Sequence, residues 1–235
     1  MINELVYAGK HLREFGVAAV DSIDSWDKPQ RKVTKIAIPG RSGDLLIDEG
    51  AYENVTVPYR CTILKNFREN YLNLMSYMAA QSGYQRLEFS GDPNVFRMAR
   101  LQTDVKPEPG PLLKHGSFIL SFDCKPQRWL KEGEKWITLD GDAAINNPTS
   151  QIAKPIIRIY GSGSVQIGNK KITVNTAGTE YIDFDCDLMD AYEGTFNRNS
   201  NISIDFIDLG LNPGSNEISL NGVSSVEVYP RWFEV

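Results

Sequence analysis

Apolar residues alternate along most of this chain, and helical spacing shows clearly only once. Residues 55–64 read Val-Thr-Val-Pro-Tyr-Arg-Cys-Thr-Ile-Leu. Val55, Val57, Tyr59, Cys61 and Ile63 share one face, the mark of a half-buried strand. Pro58 points the other way and predicts an edge strand or a bulge, because it lacks the N–H a ladder needs. The helical stripe follows at once. Phe67, Tyr71, Leu74, Met75 and Met78 fall at i, i+4, i+7, i+8 and i+11. Asn66 with Glu69 three residues on predicts a capping box, and Ser82-Gly83 a stop. Core packing is the expected role of this stripe.

Strands are expected around Leu87–Phe89 and Phe96–Leu101, with a turn at Gly91-Asp92-Pro93. Lys106-Pro-Glu-Pro-Gly-Pro111 holds three prolines in six residues and predicts an extended loop. Ser117–Cys124 then alternates Phe118, Leu120, Phe122 and Cys124. The first domain is expected to close at residue 130. Residues 130–150, rich in Lys, Glu, Gly, Asp and Asn, predict a boundary followed by a loop.

Beyond Pro155 the pattern is strand and turn alone. Ile157–Tyr160, Ser164–Ile167, Lys171–Val174, Glu180–Leu188, Asn201–Phe206, Asn216–Leu220 and Ser225–Tyr229 are short, with Gly or Asn clusters between them. Such spacing without a helix predicts a β-sandwich over residues 131–235. The fold class expected is mainly β: an α+β domain with one helix over 1–130, then the sandwich. Near the end, a tight Asn221-Gly222 turn would leave Val226 and Val228 on the opposite face from Ile218 and Leu220. A slip of one residue inverts a strand's faces. A longer hairpin loop, Asn221–Ser225, or a bulge is therefore expected.

Composition removes several classes. Of 235 residues 41% are hydrophobic and 23% charged, which is ordinary globular composition, not disorder. No apolar run approaches the roughly 18 residues of a membrane span. Lys10, His11, Arg13 and Glu14 interrupt the first twenty residues, which predicts no secretory signal. The net charge of −5 opposes a general grip on phosphate backbones. Cys61, Cys124 and Cys186 are far apart in sequence, and His11 and His115 are the two histidines. Buried thiols are expected, not a disulfide framework or zinc site.

Candidate chemistry is sparse. Gly161-Ser-Gly163-Ser-Val-Gln166 starts like a dinucleotide fingerprint, but Gln166 takes the third glycine position and no helix follows; a β-turn is expected. Asp183, Asp185 and Asp187 alternate on a strand. Leu188 stands where a calcium loop needs glycine and Gly194 where it needs glutamate. A solvated acidic face is expected, with a weak cation site as the alternative. Neither histidine has the context of a general base, and no nucleophile elbow is present. Catalytic, metal and cofactor residues are thus expected to be none. Trp129, Trp136 and Trp232 are read as core or interface anchors.

The overall order of motifs resembles the distal tail proteins of bacteriophages with long, non-contractile tails. Leu5-Val-Tyr-Ala-Gly9 and Phe15-Gly-Val17 are similar to the opening strands of that family. The resemblance is most specific at Ile38-Pro-Gly-Arg-Ser-Gly-Asp44, followed by Tyr52-Glu-Asn-Val-Thr-Val57. It continues through the helix after Asn66, Arg86-Leu-Glu88, Asp92-Pro93, Arg97-Met-Ala-Arg100, and Phe122-Asp-Cys-Lys-Pro126 with Arg128-Trp129. Asn212-Pro-Gly-Ser-Asn-Glu-Ile218 and Val226-Glu-Val-Tyr-Pro-Arg-Trp232 resemble the ending. Residues 131–180 match weakly.

The resemblance implies an N-terminal belt that joins copies of itself in a ring, typically of six, and a galectin-like or carbohydrate-module-like sandwich projecting outward. The implied role is structural and non-catalytic, in the virion at the tail tip, after synthesis in the host bacterial cytoplasm. The implied partners are the tail tube protein and a tail-tip or baseplate protein. Head-to-tail contacts need two different surfaces per subunit. The loop Pro39, Gly40, Arg41, Ser42, Gly43 and Asp44 is the expected ring contact, with Arg41 as a cross-subunit ion-pair donor; a solvated hairpin loop is the alternative. A rival function is saccharide binding by the sandwich through Tyr160, Tyr181 or Tyr192, although the sequence shows no dense Trp/Tyr cluster with His or Arg. Six copies would carry −30, six times −5, and an acidic lumen would let DNA pass without specific binding.

Overall fold

The computed structural model describes residues 3–22, 28–102 and 105–235. It divides into two compact units, Met1–Arg128 with Val235, and Trp129–Glu234.

In the first unit the alternating segment forms the strand Val55–Ile63, with Val55, Val57, Tyr59, Cys61 and Ile63 buried. It lies between the long strand Gly116–Leu130 and the strand Val17–Ser22. Pro58 therefore does not mark an edge strand along the whole segment. It pairs with Ser121 on one side, and the described pairing on the other side ends next to it, at Ser22 with Tyr59. Outward from Gly116–Leu130 run Val95–Leu101, Gln85–Phe89 and Leu5–Tyr7.

The helix Phe67–Ala79 covers this sheet through Phe67, Leu74 and Met78, which are buried, while Tyr71 and Met75 pack against the same core. Tyr71 meets Phe118 edge-on at 5.2 Å. The capping box does not form. Asn66 is left-handed (φ 50°), not in the extended conformation of a capping residue, and makes no side-chain cap; Asn70 N–H donates to Asn66 O as in any helix start, and Asn70 Nδ2 donates to Lys65 O. The proline-rich segment is extended as expected, but it is not a free loop. Pro107–Pro109 pairs with Gly116–Phe118, at the edge where proline's missing donor costs least.

The second unit is a β-sandwich. One sheet has six strands, among them Ile137–Leu139, Ser225–Tyr229, Ile156–Tyr160, Tyr181–Asp185 and Asp190–Glu193 in spatial order. The other has five: Ala143–Asn147, Gly214–Asn221, Gly163–Ile167, Lys170–Val174 and Ile202–Ile204. Ile157, Ile159, Ile182, Phe184, Val226 and Val228 from the first sheet share one core with Ile145, Val165, Ile172, Val174 and Ile218 from the second. Residues 130–150 are not a loop: Ile137–Leu139 and Ala143–Asn147 are strands, one in each sheet, anchored by buried Leu139 and Ile145.

The final hairpin is absent. Gly214–Asn221 and Ser225–Tyr229 do not pair; they belong to opposite sheets, joined across residues 222–224. Ile218, Val226 and Val228 all point into the core, and Leu220 packs against it, because the two sheets face each other. The side-chain faces were readable from the alternation; the partner strands were not. The Gly161–Gln166 segment is a turn entering Gly163–Ile167. A Cβ at Gly163 would lie 2.3 Å from Asn221 O and 2.6 Å from Val223 N, so glycine permits the crossing loop to approach.

Candidate functional site

Two regions carry the candidate residues, one in each unit. The first is a two-stranded ribbon, Arg31–Ile36 with Leu45–Tyr52. Every residue from Arg31 to Ala51 is exposed. Pairing of Ile36 with Leu45 and Thr34 with Ile47 places Ile36, Leu45 and Ile47 on one face, at 41%, 43% and 46% exposure. The other face mixes Val33 and Leu46 with Lys35 and Asp48. Pro39, Gly40, Arg41, Ser42, Gly43 and Asp44 form the tip. Arg41 N–H donates to Ile38 O at 3.1 Å, closing a turn with Pro39 and Gly40 (φ 80°) at its centre. That is the arrangement a type II turn asks of these two residues. Near the base Arg31 Nη1 meets Asp48 Oδ2 at 2.8 Å and lies over the Tyr52 ring. The backbone N–H of Gly50, and then Arg31, hold the Asp48 carboxyl below its ordinary value.

The second region is the outward face of the six-stranded sheet. Strand pairing aligns Arg158 with Asp183 on one side and Glu227 on the other, and Asp183 with Tyr192 beyond. Arg158 donates two hydrogen bonds to Asp183, at 2.8 and 3.0 Å. Its guanidinium lies 4.3 Å from the Tyr181 ring centre and 4.9 Å from that of Trp136. Tyr160 packs against Tyr181 at 5.9 Å and donates to Glu227 Oε2 at 3.1 Å. Trp136 packs against Tyr229 at 5.2 Å. The bonds to Asp183 raise the Arg158 guanidinium's pKa against the opposing effect of burial. Burial raises the Tyr192 phenol, and the charges of Asp183 and Asp185 add to it.

The structure thus brings Tyr160 and Tyr181 together, sets Tyr192 beside Asp183, and corrects the sequence reading in two ways. A Trp/Tyr cluster with an arginine does exist; sequence reading missed Arg158 and Glu227, and favoured a core or interface anchor over sugar stacking for Trp136. The signal was the alternation itself, since Ile157-Arg158-Ile159-Tyr160 and Val226-Glu227-Val228 put these groups opposite the core residues. Of the three aspartates expected on a solvated face, Asp187 is exposed but lies beyond the strand, and Asp183 and Asp185 are buried. Asp183 and Asp185 are 5% and 3% exposed. Arg231 clamps Asp185 with bonds of 2.9 and 2.7 Å, and the N–H groups of Asp187 and Leu188 donate to the same carboxylate. Burial would raise the Asp185 carboxyl, but these donors, Arg231 first, hold it below its ordinary value. The physical reason is position: Tyr181–Asp185 is an interior strand, where the adjacent strand Ile156–Tyr160 supplies Arg158 and the segment after Ser225–Tyr229 supplies Arg231 in place of water. Among the described residues no group of three His, Cys, Asp or Glu side chains is placed to hold a metal ion.

Cys61, Cys124 and Cys186 are free and buried; burial pushes the first two thiols up to about 12 and raises the third. Among the described residues no helix is long and apolar enough to cross a membrane.

No protein-family model matches the sequence, and no curated protein matches it. Solved structures do. The SPP1 Dit protein (gp 19.1), described as a paradigm of hub adsorption apparatus in phages infecting Gram-positive bacteria, superimposes over 100% of both chains with a TM-score of 0.76 at 14% identity. The chain has the Dit fold. Chains of the phage P2 baseplate in its activated conformation, with Ca and with Sr, each match over 97% of both chains, with a TM-score of 0.51 at 12% identity. The matched proteins are thus described as a hub of a phage adsorption apparatus and as chains of a phage baseplate, and their fold is mainly β, as is this chain, with one α-helix among its described residues.

Proposed function

We propose that this protein is a non-catalytic structural component of a phage tail, a distal tail hub that closes into a ring, typically of six copies, and joins the tail tube to tail-tip or baseplate proteins. In this reading residues 1–130 are the belt and residues 131–235 a galectin-like sandwich. The Dit fold over the full chain supports the tail role. The observation that carries ring formation is the exposed ribbon. A lone two-stranded hairpin is marginal in water, and this one offers Ile36, Leu45 and Ile47 to solvent on one face. A neighbouring subunit supplies the missing cover, and the tip Pro39–Asp44, with Arg41, reaches that neighbour. Assembly then places the protein in the virion's tail. DNA passes through the lumen without being gripped, in keeping with the net charge of −5 per copy.

The test is light-scattering mass measurement and negative-stain imaging of wild type and of Leu45→Glu and Arg41→Glu variants. A closed ring for wild type, lost in Leu45→Glu and weakened in Arg41→Glu, is the expected result. A wild-type monomer at micromolar concentration would sink the ring reading.

The Trp136–Arg158–Tyr181 face favours one second reading, saccharide binding through stacked aromatics. The hub reading is preferred because Arg158, Asp183 and Glu227 already satisfy one another, leaving few polar groups to orient a sugar. Glycan-array binding by the whole protein, abolished in Tyr181→Ala, would reverse that preference.

A further inference from the structure

The first unit contains a cavity of about 300 Å³ that no part of the hub reading uses. Its apolar walls include Val57, Leu87 and Phe89, and Arg97 and Arg128 both line it. Arg97 is unusual in its placement. On the strand Val95–Leu101 the inward positions are Val95, Arg97 and Ala99, so the guanidinium occupies a slot that strand alternation assigns to a core residue. It stands opposite Leu87 in the pairing and is only 9% exposed. Its Nη1 has no hydrogen-bond partner. The nearby Asp92 carboxylate is taken by Arg128, and Val235, which also lines the cavity, does not bond that nitrogen.

A buried guanidinium with an unmet donor is costly, and a well-packed apolar residue of similar volume is generally more stable in such a place. Burial pushes the Arg97 guanidinium below its ordinary value, and the charge of Arg128 adds to the effect. An arriving anion would relieve both. A carboxylate suits a planar guanidinium and brings a single charge to the one unmet donor. The apolar walls then call for an apolar body behind it, in a cavity at the small end of the range for ligand sites.

We propose that this cavity is a carboxylate-binding site, in which Arg97 donates to the anion and the Val57, Leu87 and Phe89 walls take a short apolar body. Two sources share that chemistry: a free small acid, or an acidic side chain of a docked protein that inserts into the cavity.

The test uses the whole protein, sodium hexanoate as probe, hexanol as its uncharged counterpart, and the variant Arg97→Met. Thermal melting should show a saturable rise in wild-type Tm with hexanoate and a smaller one with hexanol. Arg97→Met without ligand should melt at or above wild type, and its apparent affinity for hexanoate should fall roughly tenfold or more, the worth of a hydrogen bond to a charged group. Light scattering on the same samples separates the sources. A free acid leaves the assembly mass unchanged; a carboxylate supplied by a neighbouring protein makes hexanoate, and Arg97→Met, lower it. The proposal is overturned by equal responses to hexanoate and hexanol, by no response to hexanoate, or by an unchanged response in Arg97→Met. A variant that melts lower or fails to fold would also overturn it, since the guanidinium would then be satisfied within the protein.

Discussion

The ribbon Arg31–Tyr52 and the outward face of the six-stranded sheet reverse the usual placement of side chains. The ribbon holds isoleucine and leucine in water; the sheet face holds aspartates at 5% exposure or less. Both are legitimate solutions of the same rule, that a group must find its partner somewhere. Within the sandwich the partners are in the chain: Arg158 answers Asp183, and Arg231 answers Asp185. For the ribbon no described residue covers the apolar face, and in the proposed ring that cover comes from a neighbouring subunit. The sandwich is a closed account of its own interactions, whereas the ribbon is an open one.

Variants separate the two regions, and the largest effect on protomer stability belongs to the sandwich. Removing Asp185 strands a half-buried Arg231, and Asp185→Ala should lower unfolding free energy by about 3 kcal/mol in urea titration. A loss under about 1 kcal/mol would mean that the carboxylate is not integral to the fold. Gly163→Ala should come next, at about 2 kcal/mol, because its Cβ meets backbone of the crossing loop and not a movable side chain.

The acid limb of stability sharpens the same point. The Asp185 carboxyl lies below its ordinary value when folded, so its contribution is present above about pH 4 and is lost as pH falls through the folded value. Urea midpoints measured from pH 6 down to pH 2 should therefore fall more steeply for wild type than for Asp185→Asn. Parallel curves would remove Asp185 from the acid response.

The ribbon should behave in the opposite way. Leu45→Glu should change protomer stability by less than about 0.5 kcal/mol while abolishing the ring, and Lys35→Glu, on the opposite face, should leave the ring intact. Equal loss from both variants would show that charge, not the apolar face, governs assembly. The smallest effect concerns thiol labelling. Buried Cys61, Cys124 and Cys186 should resist alkylation at pH 8 in the native protein, whereas an Ile47→Cys thiol should label within minutes in protomers and slowly in rings.

Much of this was legible in the alternation. Val55–Ile63, Phe118–Cys124 and the helix stripe Phe67–Met78 announced both their type and their inward residues, because each pattern depends on neighbours a few positions away. The extra strands at Ile137–Leu139 and Ala143–Asn147 were hidden, since three to five residues with a single buried apolar anchor scarcely rise above a polar loop. Asn66 misled for a local reason: asparagine tolerates the left-handed conformation as readily as it caps, and here it takes the former. Tyr160 and Tyr181 were named from the sequence, but Arg158 and Glu227 were not, because what makes them a cluster is strand order.

By itself, then, the sequence determined which side chains turn inward, since the two-residue repeat of a strand is a covalent property of the backbone. It also determined that the chain is mainly β, with one α-helix among the described residues. Only the tertiary structure decided which strands are neighbours. That choice moved Ser225–Tyr229 into the sheet opposite Gly214–Asn221, buried Asp183 and Asp185 against arginines 25 and 46 residues away, and left the ribbon without a cover among the described residues. Pairing between distant segments rests on how whole faces fit and on which charges meet, and neither is written in any local stretch of residues.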